Sequence, residues 1–326
     1  MYFERSLRLG LALCLTLGLA QPSLGLAQER PSPDELSLLR AVNQAASSIS
    51  FVGVFSHQQT QGVYTARLYH AAASDGPLVR LESLDGPARE IIRSSEGVRA
   101  YLPDRREVRI TPYRPLRPDF PMLFLGDGRE VLRHYRMKVR GGYRVAGLDT
   151  DLIELVPQDG LRWRVRCWVE RSRKLLLKQQ LLDTDGSIRE EYVFSEIRLG
   201  PVTDRMVRSR FEGQPGWTQS VSPMRRVSSP TPPQDLSGGF ELTAALSNSD
   251  GSLRQWVLSD GLATISLFAE RRPPTMADGG YSQHGSLSMV SRQRGDYIVT
   301  ALGEVPLQAA TALAENFPAA WLQQAP

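Results

Sequence analysis

The sequence predicts an α+β fold, mainly antiparallel β, in two units: a large sheet preceded by a helix, then a smaller α+β domain. Three observations carry this. A segment near residue 40 repeats apolar side chains at helical spacing. From residue 51 the period switches to two, and short runs alternate with Gly, Asp and Pro turns at a spacing of roughly 8–12 residues. Between 201 and 233 the chain turns Pro-, Ser- and Arg-rich with weak periodicity, and alternation then resumes.

Residues 1–27 read as a secretory signal peptide: Arg5 and Arg8, an apolar run over 9–20, then Gly25 and Ala27 ahead of cleavage before Gln28. The run falls short of the ~20 residues that span a bilayer, so the expected location is the periplasm, in soluble form. Ser32, Pro33 and Glu35 form a helix-start signature. Leu36, Leu39, Val42, Ala46 and Ile49 then share one helical face, and the helix is expected to end near Ser50.

Strands are predicted at 51–55, 63–69, 78–84, 90–93, 98–102 and 107–111. Pro112, Pro115, Pro118 and Pro121 interrupt the ladder, because proline donates no hydrogen bond. Phe120, Met122, Leu123, Phe124 and Leu125 crowd the same stretch, so it should lie as a loop or short helix on an apolar sheet face. Strands resume at 135–139, 143–146 and 152–156. In 161–169, Leu161, Trp163, Val165, Cys167 and Val169 point one way and Arg162, Arg164 and Arg166 the other. Runs 175–182 and 188–197 flank Asp183-Thr184-Asp185-Gly186 as a hairpin. The first domain is thus expected over 28–200, a linker over 201–233 and the second domain over 234–320. The second domain should hold strands near 240–246, 253–258, 263–269, 287–292 and 296–302, a Pro/Gly-rich excursion at 271–285, and a closing helix over 308–316.

The chain is 41% hydrophobic and 23% charged, ordinary for a globular protein. A net charge of +4 is too mild to announce a nucleic-acid partner. Cys14 lies in the signal, and Cys167 by itself makes no internal disulfide and seeds no metal site. Its apolar neighbours make it a buried, inert thiol.

No constellation of polar residues nominates an enzyme. His57, His70, His134 and His284 show no metal-helix spacing. Gly280-Tyr281-Ser282-Gln283-His284 departs from a nucleophile elbow at its fifth position. Gly126-Asp127-Gly128-Arg129 lacks the rest of a dinucleotide loop. The reading is therefore no catalytic residue, no metal and no cofactor. Binding fits better. A large sheet whose apolar face has only one helix and one proline-broken segment as covers can curl into an open half-barrel around an apolar cavity. The arginines of 161–169 would then suit acidic head groups. A filled core beneath a solvated basic face fits the same pattern.

Several strings, in order, resemble one family: Phe51-Val52-Gly53-Val54-Phe55; Leu84-Asp85-Gly86-Pro87-Ala88-Arg89-Glu90-Ile91-Ile92-Arg93; Arg144-Val145-Ala146-Gly147; Leu181-Leu182-Asp183-Thr184-Asp185-Gly186; Asp260-Gly261-Leu262 with Ser266-Leu267-Phe268; and Gly303-Glu304-Val305-Pro306. Together they resemble the MucB/RseB family, periplasmic negative regulators of the sigma-E (AlgU-type) envelope stress response, over about residues 34–317. The resemblance implies a lipoprotein-carrier-like half-barrel with covering helices as a lipid-sensing domain, and a smaller domain that helps hold an anti-sigma factor. The implied partners are the periplasmic domain of a transmembrane anti-sigma factor (MucA/RseA type) and a lipid, lipopolysaccharide or lipoprotein-type ligand that dislodges the regulator, leaving the anti-sigma factor open to regulated proteolysis. A homo-oligomer is left open, and a periplasmic lipid or lipoprotein carrier is the alternative. Pattern nominates Phe120, Leu123, Phe124, Trp163 and Val165 for the lipid site, and Leu262, Phe268 and Arg292 for the partner surface. The Leu175-Leu176-Leu177 run stands where relatives often carry proline.

Overall fold

A computed structural model describes residues 35–113, 116–124, 126–228, 237–271 and 279–323. The signal peptide, the Ser32–Pro33 helix start and Leu125 lie outside these residues.

In chain order the elements are α1 (Glu35–Ser48), β1 (Phe51–Gln59), β2 (Gly62–Ala71), β3 (Leu78–Ser83), β4 (Glu90–Ser94), β5 (Gly97–Leu102) and β6 (Glu107–Thr111), then α2 (Arg129–His134), β7 (Tyr135–Val145), β8 (Leu148–Pro157), β9 (Arg164–Glu170), β10 (Leu176–Leu182) and β11 (Ile188–Leu199). α3 (Asp204–Val207), β12 (Thr218–Val221) and β13 (Arg225–Val227) follow. The chain closes with β14 (Glu241–Ser247), β15 (Leu253–Ser259), β16 (Thr264–Arg271), β17 (Gly279–His284), β18 (Leu287–Arg294), β19 (Tyr297–Gly303), α4 (Leu307–Glu315) and α5 (Ala319–Gln323).

Twelve strands form an open sheet in the order β12-β6-β5-β4-β3-β2-β1-β11-β10-β9-β8-β7. The sheet curls, and helix packing shows it. Leu39 and Val42 of α1 share a core with Tyr135 and Met137 of β7, while Ala45, one turn on, packs with Leu68 of β2 and Val79 of β3. Flat, β3 and β7 would lie roughly 34 Å apart at ~4.8 Å per strand, whereas the whole of α1 spans only about 21 Å. Only a sheet bent around the helix brings both wings to it. This is the open half-barrel of the expected α+β fold, with α1 and residues 116–124 on its concave side.

The seven-stranded second sheet runs β13-β14-β15-β16-β19-β18-β17. One face is covered by α4 and α5 through Trp256, Ile265, Leu267, Ala309, Leu313 and Trp321. On its other face Val257, Ala244 and Leu246 pack with Met224, Tyr113 and Leu116, so the first domain's proline-broken segment covers what the helices do not.

Four local expectations change. The strands expected at 135–139 and 143–146 are one strand, β7, bulged between Arg140 and Tyr143. Gly142 takes φ +95° in the bulge, a conformation open to glycine, so a break in periodicity is not a break in the strand. Strand β9 begins at Arg164, because 161–163 turn toward the second domain. The stretch expected as a linker gives β12 to the first sheet, parallel to β6, and β13 to the second, against β14. The expected excursion ends in β17, an edge strand paired to β18 with its residues mostly exposed, which removes the alternation a sequence pattern needs. Residues 229–236 and 272–278 lie outside those described.

The Leu175-Leu176-Leu177 run is wholly buried by splitting between faces: Leu176 enters the core with Leu39 and Val165, and Leu175 and Leu177 pack with Val145 and Phe194.

Candidate functional site

The second domain meets the first at the start of β7, at α2 and at the turn before β9. Asp260 follows β15 at a tight turn, where its Oδ1 accepts the backbone N–H groups of Leu262 (2.9 Å) and Ala263 (2.7 Å). That fixes the carboxylate and aims Oδ2 into the first domain. There the Arg162 Nε–H donates to it at 2.5 Å and the Tyr135 hydroxyl at 3.4 Å. The remaining Arg162 nitrogens donate to Asp159 (2.5 Å) and to the Gly238 carbonyl (2.6 Å), and the guanidinium lies over the Phe240 ring. Neither the Arg162 nor the Asp260 side chain is exposed. Burial and the Asp260 charge push the Tyr135 hydroxyl well above its ordinary pKa, so it remains a neutral donor. Gly261 sits at φ +95°, and a Cβ there would stand 2.8 Å from Glu130 Cβ on α2. The turn needs glycine twice, for its backbone and for the close approach.

A second polar contact centres on Glu190 of β11, 1% exposed. Its Oε1 accepts from His57 (2.5 Å), Tyr192 (3.0 Å) and Gln59 (3.1 Å), and its Oε2 from the Ser286 hydroxyl in the turn between β17 and β18. Trp163 Nε1–H donates to the Ser286 carbonyl at 3.0 Å. Burial alone would raise the Glu190 pKa, yet the donors His57 and Ser286 more than offset it and hold the carboxyl below its ordinary value. Burial and the nearby Glu190 carboxylate push the Tyr192 hydroxyl up.

Between these contacts lies a cavity of 510 Å³ walled by both domains: Phe120, Leu123, Trp163 and Val165 on one side, Val257 and Leu262 on the other. Arg117 and Glu304 close it with an ion pair of 2.7 Å. Burial pushes the Glu304 carboxyl up despite Arg117.

The structure sorts the residues nominated from sequence. Phe120, Leu123, Trp163 and Val165 come together at the interdomain cavity. Phe124 does not; it is fully buried and packs with Leu39 of α1. Leu262 joins the first domain's core beside Tyr135 and Val165, which makes it an interdomain contact. Phe268 is half-buried on the sheet face turned away from α4, and Arg292 pins the end of α4 through Glu315 at 3.2 Å. Of the 161–169 arginines read as suited to acidic head groups, Arg162 is sealed between Asp159 and Asp260, and Arg166, still partly exposed, pairs with Glu154 at 3.0 Å. Sequence reasoning missed Glu190, Ser286, Arg117 and Glu304. Each is one polar residue in an ordinary strand or turn, and only the fold brings them together. Among the described residues no cluster of His, Cys, Asp and Glu could hold a metal, and no helix is long and apolar enough to cross a membrane.

Comparison with known proteins bears on the whole chain. The family profile of the MucB/RseB N-terminal domain matches residues 34–213, and that of the MucB/RseB C-terminal domain matches 232–317. The sigma factor AlgU regulatory protein MucB of Pseudomonas aeruginosa is 26% identical over 334 residues, covering 93% of this chain and 95% of its own. The sigma-E factor regulatory protein RseB of Escherichia coli K12 is 24% identical over 314 residues, covering 89% and 92%. Among solved structures, MucB in complex with MucA(peri) superposes with a TM-score of 0.64 at 26% identity, over 85% of this chain and 96% of that one. The Pseudomonas aeruginosa MucA/MucB complex gives 0.66 at 24%, over 86% and 97%.

Proposed function

The chain belongs to the MucB/RseB family, and from that membership we propose that it is a periplasmic regulator of a sigma-E (AlgU-type) stress response that holds the periplasmic region of a transmembrane anti-sigma factor. Bound there, it occludes the segment that regulated proteolysis would cut; its release exposes that segment and frees the sigma factor. The observation that carries this reading is the match of both family profiles in order along one chain, with relatives named as sigma factor regulatory proteins and solved relatives that contain MucA.

The geometry supports a regulator that responds to a signal. The domains meet through charged and hydrogen-bonded contacts as well as apolar ones, around a cavity that both of them wall, and an interface with that polar share leaves room for relative motion. A lipid-type signal is received by the first domain at Phe120. Leu123, Trp163 and Val165 floor the space that changes when the domains move, and Phe268 and Arg292 are retained as partner contacts. Linkage requires reciprocity: a lipid that weakens partner binding is itself weakened by the partner to the same factor, at ~1–3 kcal/mol or about 5- to 150-fold for typical couplings.

The test is capture of the purified anti-sigma periplasmic segment, with its rate of proteolysis, across a lipopolysaccharide series. Capture with slowed cleavage, both reversed by lipopolysaccharide, is expected. Absence of capture in any condition overturns the reading. Capture that lipopolysaccharide leaves unchanged removes the release step and leaves protection standing.

A further inference from the structure

On its outer face the first sheet carries charge that its own carboxylates do not match. Register defines that face. Lys138 of β7 stands beside Glu154 of β8, Glu154 beside Arg166 of β9, and Arg166 beside Gln180 of β10. Arg136, Arg140 and Arg164 lie two places along their strands and so share the face, and Arg140 continues through Leu152 and Trp168 to Lys178. Val165, Cys167 and Val169 pack toward α1, so these alternate side chains point outward, away from that core and from the interdomain cavity.

The carboxylates on this stretch are committed. Glu154 pairs with Arg166 at 3.0 Å and Glu191 with Lys178 at 2.8 Å, while Glu170 accepts the backbone N–H groups of Ser172 (3.1 Å) and Arg173 (2.5 Å). Arg136, Lys138, Arg140 and Arg164 reach no carboxylate among the described residues, and Arg136 and Lys138 are exposed. Their number equals the net charge of the entire sequence, +4. The opposite wing differs. There the outward Arg80 donates to the Met206 carbonyl (3.2 Å), and Arg210 pairs with Glu82 (2.9 Å) and Glu90 (2.8 Å), so the segment after β11 roofs and neutralises it. Lysine and arginine on an edge strand also deter pairing with another sheet, which accounts for β7, but Arg164 stands two strands in.

Two exposed aliphatic side chains share the same face. Ile188 of β11, 50% exposed, stands beside Leu182, itself beside Arg164; Val63 of β2, 57% exposed, ends the row that runs through Glu191 and Gln58. Unpaired cations bordered by exposed aliphatic groups are complementary to a surface with an anionic exterior and an apolar interior within reach. We propose that the outer face of β7–β11 docks on an anionic phospholipid bilayer, with the cations on head-group phosphates and Ile188 and Val63 in the head-group layer. No lipid leaves the bilayer and no cavity of the protein is entered. The face stands on its own residues. Its consequence rests on the regulator reading: a regulator whose partner is anchored in that bilayer is held in the partner's plane, which raises its effective concentration there.

The test is flotation of the full mature chain with vesicles of phosphatidylcholine, alone or with about one third phosphatidylglycerol. Binding is expected to the anionic vesicles alone, and to fall as ionic strength rises from ~0.1 to ~1 M. Arg136→Gln with Lys138→Gln, both exposed, should weaken it by about 25-fold, at roughly fivefold per cation. Val63→Ser with Ile188→Ser should remove the part of the binding that salt leaves. Arg225→Gln with Arg226→Gln makes the same change in net charge on the second domain and should have little effect, and Phe120→Ala, at the interdomain cavity, should have none. Equal binding to both kinds of vesicle overturns the proposal, as does an equal loss in the Arg225/Arg226 variant. A loss in Phe120→Ala as large as that in the Arg136/Lys138 variant would assign the binding to lipid uptake and overturn it too. Capture of the anti-sigma segment without vesicles separates the two readings. Capture with no vesicle binding overturns this proposal alone; vesicle binding with no capture supports it and overturns the regulator. If the Arg136/Lys138 variant loses capture and keeps vesicle binding, the face belongs to the protein partner and the proposal fails.

Discussion

Arg162 and Asp260 stand 98 positions apart in the chain and 2.5 Å apart in space, with neither side chain exposed. One comes from the turn before β9 and the other from the turn after β15, so the most deeply buried ion pair between the domains joins two loops. Removing one partner leaves a buried charge uncompensated, which costs ~3–5 kcal/mol, whereas replacing both by apolar groups of similar volume is often close to neutral. Asp260→Ala is therefore expected to lower stability by about that amount, and Arg162→Met with Asp260→Leu by much less. Urea denaturation of the single and double variants measures the difference. Equal loss in both would mean that an uncompensated buried charge is not what the single substitution costs.

Glu190 sets a pH limit on the other contact. Its carboxyl is held below the ordinary 4.5 in the folded protein, so its contribution is complete above that value and disappears as pH falls through the lower, folded value. The Trp163 indole, bonded to the same turn at Ser286, is the reporter. Its N–H resonance is expected to hold steady from pH 8 to about 5 and to change only in more acidic solution. Glu190→Gln should abolish that acid transition. A transition near neutral pH would contradict the assignment.

Cys167 is fully buried, and burial pushes its thiol far above the ordinary range. In a Cys14→Ser chain, a thiol reagent is expected to label Cys167 only in denaturant. Rapid labelling of the folded protein would show that β9 opens locally.

Phe124 is core and does not line the interdomain cavity. Phe124→Ala should cost ~3–5 kcal/mol of stability through the cavity it leaves beneath α1, with the lipopolysaccharide response unchanged once the protein is folded. Phe120→Ala is expected to do the reverse, because the ring is half-buried and lines the interdomain cavity: a smaller loss of stability and a large change in the lipopolysaccharide response. Thermal melts with parallel titrations distinguish the two phenylalanines. If Phe124→Ala alters binding as strongly as Phe120→Ala, the separation of core from site fails.

Much of the fold was legible in the sequence because burial writes a period into it. Leu39 and Val42 recur at helical spacing because one face of α1 is buried, and Val165, Cys167 and Val169 alternate because one face of β9 is. The signal fails where burial is one-sided or absent. Strand β17, on an edge, shows no alternation, and β12 and β13 are too short to show any. Of the five residues nominated together, the fold brings Phe120, Leu123, Trp163 and Val165 to the wall of one cavity and leaves Phe124 in the core behind it. Residue type does not say which side of a packed segment faces a void.

By itself, then, the sequence determined the two-unit organisation, the antiparallel pairing of neighbours and the family, since each depends on local period and on strings of adjacent residues. Tertiary structure decided where the charges went. Arg162 has the same one-dimensional pattern as Arg166, yet one is sealed against Asp260 of the other domain and the other pairs with Glu154 on the next strand. Arg117 reaches Glu304 across the cavity, 187 positions away. The energy of an ion pair depends on distance and on exclusion of water, and neither is a property of position along the chain.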